Sequence, residues 1–381
     1  MKISTRTTHS AMSGAGGESA HPAVCTVAPP RVSTKICDLI GNTPALELCR
    51  TGTGSRLILK LDCFNPTGSV KIRMAMEMVQ GAERAGLLRP GSRIVEPTSG
   101  NTGLGLAIAA SQRGYRFTAV VDHHAAKDKL DAMRALGAEL IFVGSPDTSK
   151  PSTVARRSMA KHIVESDPNA WWPDQHNNPD NPGGYAQLAH ELSAQCSDGV
   201  DVLVAAVGTG GTLCGTTREL RRMGHEAKTV GVEPEGSIIF GGPAGSYKQS
   251  GAGAPGGFTI GQNVDYALID QQIKVGDVKA FATSRVLARR HGLMVGGTAG
   301  AAVHEGLQTL QTCAANSTVV VLVCDAGEKY LDTVFNDAWL DSHGLRSEIA
   351  ERHVENMLRA YRDSRSLCAG CQAPRCSAVR R

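Results

Sequence analysis

Aromatic residues are scarce: Phe, Trp and Tyr together make up 4% of the 381 residues. A core therefore has to be built from Ala, Val, Leu and Ile, and the 43 glycines point to many tight turns and close backbone approaches. Long apolar runs are missing too. None approaches the roughly 20 residues needed to span a bilayer, so no membrane role is expected. Charge of one sign is not in excess: the net charge is +4, with acids and bases interspersed, which lacks the basic stripe of a nucleic-acid binder. No apolar segment follows the first basic residues, so no secretory signal is expected. The 11 cysteines are odd in number and mostly sit in apolar stretches such as Leu322-Val323-Cys324. That pattern suits free thiols acting as small hydrophobes in a reducing cytoplasm.

What is present is an α/β pattern. Residues 1–34 are rich in Ser, Thr, Ala, Gly and Pro and show no period; they read as a mobile tail, with a transit peptide as a weaker alternative. Leu39-Ile40-Gly41-Asn42-Thr43-Pro44 then forms a turn into the first strand. Beyond it, strand-like segments fall at 56–61, 92–96, 117–122, 139–143, 201–207, 229–232, 272–275 and 318–324. Helix-like segments fall at 71–85, 104–113, 127–136, 153–166, 185–196, 213–223, 278–291 and 299–310. Such alternation predicts an α/β fold of mainly parallel sheets flanked by helices, and the length accommodates two open twisted sheets. The Gly-dense stretch 241–261 has the length of a functional or mobile loop. After Gly344 the chain predicts one amphipathic helix and a basic tail with Cys368, Cys371 and Cys376. Cys-x₂-Cys is suggestive of zinc, but a fourth ligand at the usual spacing is missing, so no metal site is expected.

Four motifs carry chemistry, each between a strand and a helix or opening a helix. Asn65-Pro66-Thr67-Gly68-Ser69-Val70-Lys71 places a lysine at a helix start, where the positive end of the helix dipole disfavours the ammonium. That suits a Schiff-base lysine, although a surface lysine would read the same. Glu96-Pro97-Thr98-Ser99-Gly100-Asn101-Thr102-Gly103 offers hydroxyls, an amide and free N–H groups, either a carboxylate receptor or a plain N-cap. Gly208-Thr209-Gly210-Gly211-Thr212 follows an apolar strand. It fits neither the dinucleotide fingerprint nor a Walker A loop, which leaves a monophosphate cradle or a simple Gly turn. Gly296-Gly297-Thr298-Ala299-Gly300 opens another helix and alone is weak.

Together, in this order and spacing, the four motifs resemble the cysteine synthase branch of the fold-type II pyridoxal-phosphate enzymes, a branch that includes cystathionine β-synthases. The resemblance spans residues 36–340 and implies a tryptophan synthase β-like architecture. It implies that Lys71 holds pyridoxal 5'-phosphate as a Schiff base, and that Gly208, Thr209, Gly210, Gly211 and Thr212 hold its phosphate. Asn101 would meet the ring hydroxyl and Thr298 the pyridine nitrogen. Thr98, Ser99 and Thr102 would clamp the substrate carboxylate, helped by Gln175. A hydroxyl at the ring nitrogen does not enforce its protonation, so loss of a β-substituent to give aminoacrylate is favoured over deeper carbanion chemistry. The implied domains are a larger phosphate-binding one (35–65 and 178–344), a smaller substrate-binding one (66–177), and a helix and tail over 345–381. Amino-acid substrates and a homodimer are implied as well. Intact Lys71, Asn101 and Thr298 argue against a pseudo-enzyme.

Two departures stand out: Ile72 where the family often has Asp, and Gly183-Gly184-Tyr185-Ala186-Gln187 without the Thr pair common in cysteine synthases. The first reads as a local packing change. The second bears on the acceptor. Glu235-Gly236-Ser237-Ile238-Ile239-Phe240-Gly241-Gly242 and the stretch from Gly327 to Trp339 resemble the synthases of N-(2-amino-2-carboxyethyl)-L-glutamate. Those join O-phosphoserine to glutamate on the way to 2,3-diaminopropionate, a unit of siderophores and antibiotics. The expected reaction is β-replacement on an activated L-serine (O-phospho or O-acetyl), with an amine such as L-glutamate as acceptor and sulfide as the alternative.

Overall fold

The β-branched runs become strands and the apolar-striped segments become helices, in near-strict alternation. The computed structural model describes residues 32–145 and 153–366. Most of the tail expected at 1–34 lies outside them, as do Cys368, Cys371 and Cys376. In chain order the elements are β1 (Ala45–Arg50), β2 (Arg56–Lys60), α1 (Lys71–Arg84), β3 (Arg93–Glu96), α2 (Asn101–Arg113), β4 (Arg116–Asp122) and α3 (Lys127–Ala135). Then follow β5 (Glu139–Val143), α4 (Thr153–Ser166), β6 (Ala170–Trp171), α5 (Asp180–Gly183), α6 (Ala186–Gln195), β7 (Val202–Ala206) and α7 (Gly211–Arg222). The last are β8 (Lys228–Pro234), β9 (Gln271–Val275), α8 (Asp277–His291), α9 (Gly297–Thr312), β10 (Thr318–Leu322), α10 (Asp337–Ser342) and α11 (Glu348–Ser366).

Two sheets result, ordered β1-β2-β10-β7-β8-β9 and β5-β4-β3-β6. Every pairing is parallel except β1 with β2. This is the α/β class the alternation predicts. β10 shows why: Thr318–Leu322 is buried along its whole length, as a central strand covered on both faces must be. Its register sets Val320 beside Ile58 on one side and Leu203 on the other. The described residues from Lys35 onward form one compact unit.

Helix α1 serves two cores. Met74 and Met78 join the apolar cluster of Leu188, Leu203 and Leu213 against the larger sheet. Ala75, Val79 and Ala82 join Leu104, Leu106 and Val121 against the smaller one. Ile72, expected as a packing substitution, is fully buried. Gly105 of α2 faces it: a Cβ there would lie 3.2 Å from the Ile72 Cα and 2.9 Å from the Ala75 Cβ, so the two helices approach closely.

Several elements begin or appear where sequence periodicity did not mark them. α2 starts at Asn101, not 104, because its polar, Gly-bearing first turn has no apolar stripe. β1 is an edge strand with an irregular register, and β6 has only two residues. The 241–261 stretch contains no helix or strand, as expected. The amphipathic helix expected after Gly344 is α11, which buries Val354, Met357, Leu358 and Tyr361 against the larger sheet's core. Cys37, Cys63, Cys196, Cys214, Cys313 and Cys324 are free thiols. No helix among them is long and apolar enough to cross a membrane.

Candidate active site

In parallel α/β sheets, loops at the carboxyl ends of the strands converge on one crevice. Here the chain leaving β3 at Glu96, β7 at Ala206 and β10 at Leu322 meets the turn before α1. That turn carries backbone strain: Thr67 has φ 73°, a left-handed conformation that a β-branched residue rarely takes. It is fastened to the end of β10, with Ala326 N–H donating to the Gly68 carbonyl at 3.0 Å. Lys71 is the first residue of α1, and its N–H donates to Ser69 Oγ at 3.3 Å.

A cavity of about 250 Å³ lies at this convergence. Its lining includes Lys71, Thr98, Ser99, Asn101, Thr102, Gln175, Gly208 and Thr209, eight of the residues singled out from sequence. Thr102 Oγ1 donates to Gln175 Oε1 at 2.8 Å, tying the first turn of α2 to the Gln175 turn. Gln175 Nε2 in turn donates to Glu96 Oε1 at 3.0 Å.

Gly210, Gly211 and Thr212 stand at the start of α7. Gly210 has φ +87°, and a Cβ on it would come 2.4 Å from the Asn263 carbonyl oxygen, so only glycine fits. The first-turn N–H groups of α7 lack intrahelical acceptors and have no side-chain cap, the arrangement that receives a phosphate. Asn181 Nδ2 braces this loop, donating to Thr209 Oγ1 at 3.1 Å and to the Gln175 carbonyl at 2.5 Å. Thr298 sits one layer back: its Oγ1 donates to the carbonyl of Ser250, which lines the cavity. Lys71, the Gly208–Thr212 cradle and Asn101 therefore fit a phosphorylated cofactor held by a lysine.

Sequence reasoning missed Asp325, Lys129 and Lys329. Asp325 Oδ2 accepts from Asn101 Nδ2 at 3.0 Å and from the Tyr330 hydroxyl at 2.5 Å. Lys329 Nζ donates to Asn101 Oδ1 at 2.8 Å. A carboxylate just past the end of a buried parallel strand was a usable signal for Asp325. Lys129 had none, since a lysine in an amphipathic helix reads as surface. Burial lowers the pKa of both Lys129 and Lys329, against the pull of Asp325. It pushes the Tyr330 phenol and the Cys324 thiol well above their usual values, with Asp325 adding to both. His176 is pushed down to about 4 by burial and by Arg157. Arg156 sits beside the loop that leads into α2, its Nη1 3.3 Å from Ser99 Oγ.

The chain is similar to known proteins over most of its length. Residues 36–325 match the family described as pyridoxal-phosphate dependent enzyme. A putative cysteine synthase of Sinorhizobium fredii is 46% identical over 82% of this chain and 93% of its own length. Cystathionine beta-synthase of Rattus norvegicus is 36% identical over 84% of this chain, which spans only 58% of that longer relative. Among solved structures, cysteine synthase from Entamoeba histolytica superposes with a TM-score of 0.77 at 28% identity, covering 89% of this chain and 99% of that one. O-ureido-L-serine synthase does so at 0.73 and 32% identity, covering 82% of this chain and 100% of that one. The chain belongs to the pyridoxal-phosphate dependent enzymes, in their fold-type II cysteine synthase and cystathionine β-synthase branch, and its cofactor is pyridoxal 5'-phosphate.

Proposed function

We propose that this enzyme replaces the β-substituent of an activated L-serine, and that its acceptor is an amine, L-glutamate or a close relative, giving a 2,3-diaminopropionate precursor. The observation that supports the reaction class is one cavity lined by Lys71 together with Thr98, Ser99, Thr102 and Gln175, the proposed carboxylate receptor. The bound cofactor supplies an electron sink next to the substrate Cα. Lys71 Nζ takes the Cα proton as general base and later returns it. The leaving group departs with the electron pair of the Cβ–O bond, and the acceptor nitrogen bonds to Cβ and releases a proton. Thr298 would meet the ring nitrogen with its hydroxyl, and Asn101 would meet the ring hydroxyl.

The amine reading rests on the sequence between Gly327 and Trp339, which contributes Lys329 and Tyr330 to the wall around Asp325 and Asn101. Arg156, beside Ser99, suits an anionic leaving group such as phosphate. Sulfide is the second reading, favoured by the relative named putative cysteine synthase and by the ordinary Pro97–Thr102 and Gly208–Thr212 motifs. Residues 66–177 act as the substrate-binding domain, and 35–65 with 178–344 as the phosphate-binding one. A cytoplasmic homodimer serving siderophore or antibiotic precursor synthesis completes the proposal.

The test uses the holoenzyme. O-phospho-L-serine and O-acetyl-L-serine are each added while the visible spectrum is recorded; glutamate or sulfide is then supplied to restore it. Glutamate is expected to restore the spectrum. If sulfide does so and glutamate does not, the acceptor is sulfide. Lys71→Ala, as control, is expected to lose the bound-cofactor absorbance and turnover; retained covalent colour would overturn the assignment of Lys71.

A further inference from the structure

Among the described residues the cations around this cavity are spoken for, with one exception. Lys329 donates to Gly68 O and Asn101 Oδ1, Arg156 pairs with Asp122 at 3.3 Å, and Arg157 pairs with Asp174 at 3.4 Å. Lys71 belongs to the cofactor. Lys129, on α3, is only 6% exposed and lines the cavity, yet its ammonium has no hydrogen-bond or ion-pair partner among the described residues. The Tyr330 ring lies under it, its centroid 4.6 Å from Nζ, and Asp325 and Asp128 act on it only at longer range. Asp325 does not pair with it within 4.0 Å; its Oδ2 is occupied by Asn101 and Tyr330, and its Oδ1 takes the Cys324 thiol at 3.6 Å. An unpaired buried cation is costly unless a ligand completes it.

The anions already assigned do not need Lys129. The cofactor phosphate has the α7 cradle, and the α-carboxylate of the first substrate has Thr98, Ser99, Thr102 and Gln175. We infer that Lys129 binds the side-chain carboxylate of the incoming acceptor, selecting a dicarboxylic amino acid. This rests on the amine-acceptor reading above and adds the residue that enforces it. Glutamate fits because its amine reacts while its distal carboxylate is held about one side-chain length away; glutamine has the same shape without the charge.

The experiment compares wild-type holoenzyme with K129Q and K129R. After O-phospho-L-serine has changed the spectrum, kcat/KM for its restoration is measured with glutamate and with glutamine, and the binding of glutarate, a dicarboxylate without an amine, is titrated calorimetrically. Loss of one charge-assisted contact corresponds to about tenfold in affinity. K129Q is therefore expected to lower glutamate kcat/KM and glutarate affinity by about that factor, to affect glutamine much less, and K129R to recover part of the loss. Equal glutarate binding by wild type and K129Q, or equal losses for glutamate and glutamine, overturns the inference. If glutamate is inert with the wild type while glutarate binding still depends on Lys129, the acceptor reading fails and the anion site stands.

Discussion

Glu96 ends β3 with its side chain buried, next to the loop that leads into α2. Gln175 donates to Oε1, but Oε2 has no partner among the described residues. Burial first, then the nearby Asp174, pushes its pKa up to about 8, while Gln175 and Arg157 pull the other way. The folded value lies above the usual 4.5, so Glu96 is held as the neutral acid at pH 7. Its contribution to stability is full below about 4.5 and is lost as pH rises through about 8. E96Q, which keeps an acceptor for Gln175 but cannot ionise, is expected to lose less melting temperature than wild type between pH 6 and pH 9. Thermal scans at both values check this; parallel losses would show that another group titrates. At this scale the sequence was informative only where a residue sat in a loop between strand and helix. Thr98, Asn101 and Gly208 stood out for that reason. Glu96 opens the same motif but carried no role of its own, and Lys129 did not stand out, because a polar strand end and a helix lysine look alike whether they face solvent or a cavity.

Among the elements, α1 is the most constrained. Arg73, two residues past Lys71, pairs with Asp62 at 2.7 Å and with Glu191 at 2.9 Å, and Lys60 pairs with Glu191 at 2.6 Å. Arg73, Asp62, Lys60 and Glu191 are all buried. Removing one partner of a buried pair leaves an uncompensated charge and costs about 3–5 kcal/mol. Arg73→Ala is expected to lower the unfolding free energy by that amount, read from urea midpoints; a change within error would show that water reaches these carboxylates. Burial alone would raise the Glu191 pKa, but Arg73 and Lys60 overcome it and hold the carboxyl at about 2. The stability it contributes is present above about 4.5 and is lost as pH falls toward about 2. The helix itself was legible from its apolar face. The ion network was not, since its members are up to 131 positions apart, from Lys60 to Glu191.

On the scale of the molecule, alternation of strands and helices announced parallel sheets, and two of them. It did not announce that the last strand, β10, sits between β2 and β7 in the larger sheet, because that position depends on pairing across the chain rather than on any local period. The two sheets share α1, whose opposite faces fill separate cores. Unfolding either core exposes part of that helix, so calorimetry of the apoprotein is expected to show a single cooperative transition. Two resolved transitions would mean that α1 remains folded with one sheet after the other has melted. The Arg73 ties have a further consequence. They anchor the lysine-bearing end of α1 to Asp62 and to α6, both belonging to the larger sheet's side. Any relative shift of the sheets would then carry the Thr98–Thr102 loop and leave the amine where it is. In the proposed reaction Lys71 would be the fixed point, and the substrate would be what travels to it.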